Sequence, residues 1–403
     1  MKTIQKRTLK FVEKRKSYKI TEKISKILEP LWILKYIEAT KTIKKLLSHV
    51  SNFKCFLKKE EGSRMVSMKD IAQQCGVSIA TVSKALNNHS DISLATKQMI
   101  RSVAGEMGYF PNSSARALKT NRTYNLGVLF VDQARNGLTQ DYFAHILNSF
   151  KVTAEEKGYD ITFINSNRTS QKMTYLEHSR YRGVDGVVIA CVDFDEAEVL
   201  DLVKSDMPVV TIDHSFDNKP SIVSDNIRGM RDLVEYIYSM GHRKIAYVNG
   251  GDNSTVTRNR IGCFYRTLSD LKVPVVDAYM RQGEYRNVKV AHDETLKLLD
   301  LPDPPTCILY PDDLASIGGI NAVNERGLSI PRDISIAGYD GIRIAKVLEP
   351  KITTIEQDTE TIGRKAAEKL IGMIEHPRST LIERVVVEGK LLTGDTVADI
   401  NGL

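Results

Sequence analysis

Met68-Lys-Asp-Ile-Ala-Gln-Gln-Cys-Gly-Val-Ser-Ile-Ala-Thr-Val-Ser-Lys-Ala-Leu-Asn87 is the stretch that decides how this chain is read. Two short helical patterns flank Gly76, which supplies a turn conformation that residues with a Cβ resist. Ser67 is placed to cap the first helix and Ser78 the second, each by accepting a bond from an orphan backbone N–H. Ile71, Ala72, Val77, Val82 and Leu86 are spaced to face one another across the pair, which leaves Ile79, Ala80, Ser83 and Lys84 pointing outward. That spacing fits a helix-turn-helix, whose second helix lies in the major groove of DNA. An ordinary helical hairpin would share the apolar spacing, so the reading leans on the residues beyond Asn87.

Ser93 opens a third helical pattern, in which Met99, Ile100, Val103, Ala104 and Met107 recur on one face and Gly108 is a stop signal. Tyr109-Phe-Pro-Asn-Ser-Ser-Ala-Arg-Ala-Leu-Lys119 comes next. Pro111 can start a helix but not sit within one. The segment is too short to be a stable helix alone in water, so a helix there needs a partner or DNA.

Residues 66–121 resemble the DNA-binding headpiece of the lactose/galactose repressor family. The motifs are Val77-Ser-Ile-Ala-Thr-Val-Ser83, Gly108-Tyr-Phe-Pro-Asn112 and Ala115-Arg-Ala-Leu118. The remainder, to about residue 396, resembles the same family's sugar-binding core. The resemblance implies DNA contacts from Ser78, Ile79, Ala80, Thr81, Ser83, Lys84 and Asn87, and from Asn112, Ala115 and Leu118. Ile79 and Ala80 suit thymine methyls, and Lys84 suits a guanine edge. Leu118 would wedge into the minor groove at the operator centre. His89 resembles a phosphate contact, although a surface turn residue would read the same way.

At 403 residues the chain has room for two or three domains and a sizeable core. Five scattered cysteines without a C-x-x-C pair argue against a zinc site or a disulfide framework and suit a reducing cytoplasm. No run of about 18 apolar residues is present, so no transmembrane helix is expected. Residues 1–64 hold 18 Lys and Arg against 6 Asp and Glu, a net of +12 within a chain total of +7, so the remainder carries −5. Three readings of this extension are open: a basic arm for nucleic acid, a targeting peptide, or translated leader. Leader is the expectation, because the family's headpiece begins shortly before its first helix, near Met65. Glu60-Glu61-Gly62 would also be encoded by a purine-rich run, at a spacing suited to a ribosome-binding site.

From Asn125 the pattern alternates between buried strands and helices. Strands are expected at Leu126–Val131, Ile161–Ile164, Val184–Ala190 and Pro208–Asp213, and then at Lys244–Val248, Thr306–Tyr310 and Ile334–Gly338. Nearly continuous apolar strands between amphipathic helices mean parallel sheets covered on both faces. The expected fold is α/β: an N-terminal helix-turn-helix headpiece (65–121), then a two-lobed, doubly wound parallel-sheet core of the periplasmic-binding-protein kind (122–403). Lobe one is read as about 122–224 plus 356–380, and lobe two as about 225–355 plus 381–398. Ligands of such sheets sit beyond the carboxyl ends of the strands.

Asp213, Asp312, Asp313 and Asp340 stand at those strand ends, with Arg260 on a following helix and Tyr285 in a loop. Carboxylates and an arginine bond sugar hydroxyls, while an aromatic covers the apolar face of the ring. The family's effector pocket implies the same roles for Asp213, Arg260, Tyr285, Asp312 and Asp340, with Phe143 on the other side of the ligand. Helix capping is the plainer alternative for Asp213 and Asp312, and Asp313 reads as a cap. Two departures touch this pocket. The usual Asp-x-x-Asn-Pro-Phe-Phe segment is the longer Asp132–Phe143 without Pro, and the usual Asn-Asp pair is Asp312-Asp313. The extra carboxylate favours a ligand with more donors, or with positive charge. The chain ends soon after Leu391-Leu-Thr-Gly394 without a leucine-heptad tail, so the family's tetramerising helix is not expected.

The resulting expectation is a cytoplasmic, homodimeric transcription regulator of the repressor kind. It would bind palindromic double-stranded operator DNA, respond to a small effector, expected to be a sugar, and use no cofactor, metal or membrane. Two other classes fit parts of the chain. A sugar receptor without DNA binding would share the core but lack the headpiece. A carbohydrate-active enzyme would need a carboxylate pair, yet adjacent Asp312 and Asp313 point in different directions.

Overall fold

The computed structural model describes residues 66–110, 117, 122–131, 137–165, 172–251 and 254–402. They fall into two units that divide between Pro111 and Asn112, earlier than the boundary after residue 121 read from the sequence.

The first unit is three helices around one apolar centre: α1 (Met68–Cys75), α2 (Ile79–Leu86) and α3 (Leu94–Glu106). Local chemistry sets each start and stop. Ser67 and Asp70 form a reciprocal capping box at α1, and Gly76 closes it with φ +65°. Ser78 caps α2 by accepting from the Thr81 N–H, and Ser93 caps α3 by accepting from the Thr96 N–H. Ile71, Ala72, Val82, Ala85, Ile100 and Ala104 are buried together, with Val77, Leu86, Val103 and Met107 packed around them. Met99 departs from the sequence reading: it is 43% exposed. It sits one residue, about 100° of helix rotation, from fully buried Ile100.

The second unit is built of β1 (Asn125–Phe130), α4 (Asp141–Glu156), β2 (Asp160–Ile164), α5 (Tyr175–Arg182), β3 (Gly186–Ala190), α6 (Ala197–Lys204), β4 (Val209–Ile212) and β5 (Ser221–Ser224). It continues through α7 (Asn226–Ser239), β6 (Ile245–Asn249), α8 (Thr255–Asp270), β7 (Met280–Gln282), α9 (Val288–Leu299), β8 (Cys307–Leu309), α10 (Asp313–Glu325) and β9 (Ser335–Ala337). It ends with α11 (Arg343–Val347), β10 (Thr354–Glu356), α12 (Thr359–Glu375), β11 (Arg384–Val387) and β12 (Lys390–Leu392).

Two parallel sheets result. The first runs β11-β5-β4-β3-β1-β2 and the second β7-β6-β8-β9, while β10 and β12 form an antiparallel ribbon. On β3, Val187 and Ile189 pack with α5 and α6, whereas Val188 and Ala190 pack with α4 and α12. The period of two, apolar on both faces, is what a strand covered on both sides requires. β6 does the same in the second lobe, with Ile245 and Tyr247 on one face and Ala246 and Val248 on the other.

One assignment from the sequence is corrected. Residues 381–398 were expected wholly in lobe two, but Arg384–Val387 pairs in parallel with Ser221–Ser224 of the first sheet. The added strand covers β5, which would otherwise leave its backbone groups open along the sheet edge. The chain therefore passes between the lobes three times: after β5, after β10 and after β11.

Glycine decides how closely two of the helix pairs approach. A Cβ on Gly363 of α12 would lie 2.2 Å from the Ile146 carbonyl oxygen of α4, and one on Gly318 of α10 would lie 2.1 Å from the Val288 oxygen of α9. Gly262, on the exposed side of α8, has nothing within 4 Å. Gly363→Ala should therefore destabilise the core by about 1–3 kcal/mol through overpacking. Gly262→Ala should stabilise it by about 0.5–1 kcal/mol. Urea unfolding of the two variants beside wild type checks that the signs are opposite.

Candidate functional site

Two sites were expected, one in each unit. In the first, the exposed face of α2 carries Ile79, Ala80 and Lys84, with Ser83 partly buried beside them. Ile79 is 49% exposed, although a branched apolar side chain gains by burial. Ser78 and Thr81 are engaged with each other, their hydroxyls 2.9 Å apart at the helix start. Asn87 turns back, its amide donating to the Ser83 carbonyl at 2.8 Å. Lys84 pairs with Asp91 from the following turn, and both side chains are about half exposed. That contact holds the Asp91 carboxyl below its usual range. His89 is exposed, in the turn where its backbone N–H donates to the Lys84 carbonyl. Asn112, Ala115 and Leu118 lie outside the described residues.

In the second unit the strand ends of the two lobes converge. Asp213 follows β4 with φ +59°. Its Oδ2 accepts from the Tyr142 hydroxyl at 2.8 Å and its Oδ1 from the Ser224 N–H at 3.2 Å. Arg260 comes from α8 of the other lobe and is 2% exposed. Its Nε donates to Asn226 Oδ1 at 2.7 Å and its Nη1 to the Pro311 carbonyl at 2.8 Å, and Nη2 is 3.7 Å from Asp340 Oδ1. Its guanidinium lies 3.6 Å from the centre of the Tyr339 ring and 6.0 Å from that of Tyr285. Tyr285 reaches Thr257, hydroxyl to hydroxyl at 2.9 Å, and its ring occupies the space where a Cβ on Gly250 would be. Asp340, with φ +99°, accepts from the Gln357 amide at 2.6 Å.

The structure brings together Asp213, Arg260, Tyr285, Asp312 and Asp340, but not Phe143. Phe143 is buried in the lobe-one core, edge-on to Phe130. The preceding Tyr142 reaches the cleft instead, because one step along a helix turns the side chain by about 100°. The pair at α10 also differs from expectation. Asp312 is the cap, accepting from the Ala315 N–H at 2.8 Å and from the Arg286 N–H at 2.6 Å. Asp313, expected as the cap, is fully buried and accepts from the Thr354 hydroxyl at 2.6 Å and the Ile342 N–H at 2.9 Å. Sequence reasoning missed Tyr142, Asn226, Tyr339 and Gln357. Tyr339 alone carried a signal, as the neighbour of Asp340 in Gly338-Tyr-Asp-Gly341.

Burial sets the electrostatics of this site. It pushes the carboxyls of Asp213, Asp313 and Asp340 upward, and that of Asp312 to about 6 with Asp340 adding to the effect. A cavity of about 60 Å³ lies between the lobes, lined by Asp213, Ser224, Asn226, Thr255 and Asn259. Ligand sites run to roughly 300–1,000 Å³, well above this volume. Among the described residues, no group of three His, Cys, Asp or Glu is placed to hold a metal ion, and no helix is long and apolar enough to cross a membrane.

A capped helix-turn-helix unit followed by a two-lobed α/β core defines a DNA-binding regulator with a built-in ligand-binding fold. Residues 67–112 match the family described as bacterial regulatory proteins, lacI family, and residues 234–397 match the periplasmic binding protein-like domain. The HTH-type transcriptional repressor PurR of Pectobacterium carotovorum is 30% identical over 339 residues, covering 79% of this chain and 96% of that protein. The probable HTH-type transcriptional repressor ExuR of Bacillus subtilis is 28% identical over 336 residues, covering 83% and 98%. Among solved structures, the lac repressor dimer bound to operator and the anti-inducer ONPF is 24% identical, with a TM-score of 0.71, covering 83% of this chain and all of that one. The chain belongs to the LacI family of transcriptional regulators.

Asp312 makes core stability depend on pH. Its carboxyl titrates near 3.8 when unfolded and near 6 when folded. Between those values the folded state holds a proton that the unfolded state has lost, so stability falls as pH rises through that window. The loss from this group is at most about 3 kcal/mol and is complete above pH 6. Asp312→Asn should flatten that slope, as urea unfolding at pH 4 and pH 7 would show.

On the DNA side, Lys84→Ala should weaken the best operator by about tenfold to a hundredfold and relax discrimination at one base pair per half-site. Asp91→Asn should tighten binding by at most about fivefold, since it releases Lys84 from an exposed pair. Gel-shift titrations on specific and random DNA check both, and equal losses on the two DNAs for Lys84→Ala would count against base readout.

Proposed function

We propose that this protein is a cytoplasmic, homodimeric repressor that places α2 in the major groove of each half of a palindromic operator. Its operator affinity is set by a small sugar or related metabolite held between the two lobes. The observation that carries the reading is that groups from both lobes converge at the strand ends. Asp213 and Tyr142 come from lobe one, and Arg260, Asp312 and Asp340 come from lobe two, with Asp213 within electrostatic reach of Arg260 and Asp340. A ligand that bonds both sets has different affinities for the open and closed lobes, which is the requirement for shifting a two-state equilibrium. The operator-bound dimer of the lac repressor supports the dimer and the operator for this chain.

A hydrolytic role finds no support in the carboxylate pair. Asp312 already accepts from two backbone amides, and Asp313 is tied to Thr354 and Ile342 with no exposed surface. Neither is placed as the second, facing acid that glycoside hydrolysis requires.

The test is operator binding with and without an effector found by a thermal-shift screen of sugars and nucleosides. Arg260→Ala should remove the response while the folded fraction keeps operator affinity near wild type. It should also cost about 3 kcal/mol or more of core stability, because Asp340 is left buried beside an empty place. Tyr142→Phe is the milder probe. It deletes one hydroxyl at Asp213 and should raise the half-maximal effector concentration by about tenfold. A Tyr142→Phe and an Arg260→Ala protein that both respond at wild-type concentrations would remove this cleft from effector sensing.

A further inference from the structure

We infer that the interlobe site selects a polyhydroxylated effector without an anionic group, rejects sugar acids, and uses Asp312 to make that distinction. The inference rests on the reading of the cleft as the effector site. Three observations carry it.

The first is the charge balance. Asp213, Asp312 and Asp340 converge here, with Asp313 buried behind them. The guanidinium at their centre is already committed. Arg260 donates to Asn226 and to the Pro311 carbonyl, lies against Asp340, and has Tyr339 over its face. Arg286 is the other cation within reach of Asp312 and Asp340. An anion entering this buried site would lose its hydration beside three converging carboxyls, with the central guanidinium already engaged, so a further negative charge between the lobes is disfavoured.

The second is a pair of unmatched polar atoms. The Tyr247 hydroxyl is fully buried without a hydrogen-bond partner, within electrostatic reach of Tyr285, Arg260, Tyr339 and Asp312. Gln357 is 6% exposed; its amide nitrogen donates to Asp340 and its Oε1 has no partner. A phenol wants an acceptor and an amide oxygen wants a donor, and buried groups of either kind are costly when left unmatched. A hydroxyl can answer either atom, whereas a carboxylate can answer the phenol but not the amide oxygen.

The third is the geometry at Asp312. Each of its oxygens accepts one backbone N–H, from Ala315 and from Arg286. A carboxylate has about four lone-pair positions, so acceptor capacity remains for ligand hydroxyls. Asparagine at this position would keep one acceptor oxygen, set an amide NH2 against one of the two backbone N–H groups, and remove one negative charge.

The experiment is a thermal-shift titration of the full chain at pH 7 with matched compounds: glucose and glucuronate, galactose and galacturonate, with ribose, maltose and cellobiose as further neutral ligands. Each uronate differs from its hexose only at C6, where a carboxylate replaces the primary alcohol. The expected result is stabilisation by at least one neutral compound, with uronates bound roughly a hundredfold or more weaker than their parent hexoses. In Asp312→Asn that gap should narrow by about tenfold, with circular dichroism confirming the fold. A uronate that stabilises wild type as well as its hexose, with the shift lost in Arg260→Ala, overturns the inference while leaving the cleft as the effector site. Stabilisation by no compound in the set overturns both. A neutral sugar that binds with the same uronate gap in Asp312→Asn leaves the selectivity standing and removes Asp312 as its source.

Discussion

A single buried guanidinium organises the ligand-binding core. Arg260 fixes the start of α7 through Asn226, the end of the β8 segment through Pro311, and the turn after β9 through Asp340, and the Tyr339 ring covers its face. An unpaired buried charge costs several kcal/mol, so these loops are tied to one arrangement as firmly as the ion is tied to them. The carboxylates at the neighbouring strand ends are tolerable in the dry interior because this cation lies among them. Part of the energy that stabilises lobe two is therefore held at the face it turns toward lobe one.

Parallel sheets explain why those groups meet at all. Each strand delivers its carboxyl end to the same edge of its lobe, and the two edges face each other. Three passages of the chain between the lobes keep the edges facing without fixing the gap. The first two passages end in helix caps: Asp225 caps α7 and Asp358 caps α12, each with its side chain accepting a helix-start N–H. Those caps give the linking backbone defined end points at the start of α7 and of α12.

What the sequence made legible was local chemistry. Ser67, Ser78 and Ser93 cap the helices they were expected to cap, and Gly76 takes the left-handed turn, because each depends on neighbours within three or four residues. The buried strands of both lobes were visible for the same reason. What failed turned on a single step or on distance in sequence. Phe143 and Tyr142, like Met99 and Ile100, differ by one residue and so by the side of the helix they occupy. Asp313 was read as the cap of α10, but Asp312 caps it and Asp313 is buried behind it, because which one caps depends on where α10 takes up helical backbone. The pairing of Arg384–Val387 with Ser221–Ser224 spans more than 150 residues and leaves no local pattern in either strand. Gln357 reaches Asp340 from a different element, and nothing near either residue announces it.

The Lys84–Asp91 pair has a thermodynamic consequence for the DNA-reading surface. A lysine that neutralises a phosphate ordinarily drives binding by releasing condensed counterions, which makes affinity fall steeply with salt. Here the lysine carries its own counterion, covalently attached seven residues along the chain. Added salt screens the intramolecular pair as well as the attraction to DNA. The two effects oppose each other, so the headpiece should lose affinity with salt less steeply than its count of basic contacts implies. A bound carboxylate of this kind acts as a buffer on non-specific binding, because random DNA must displace it before a phosphate can pair with Lys84.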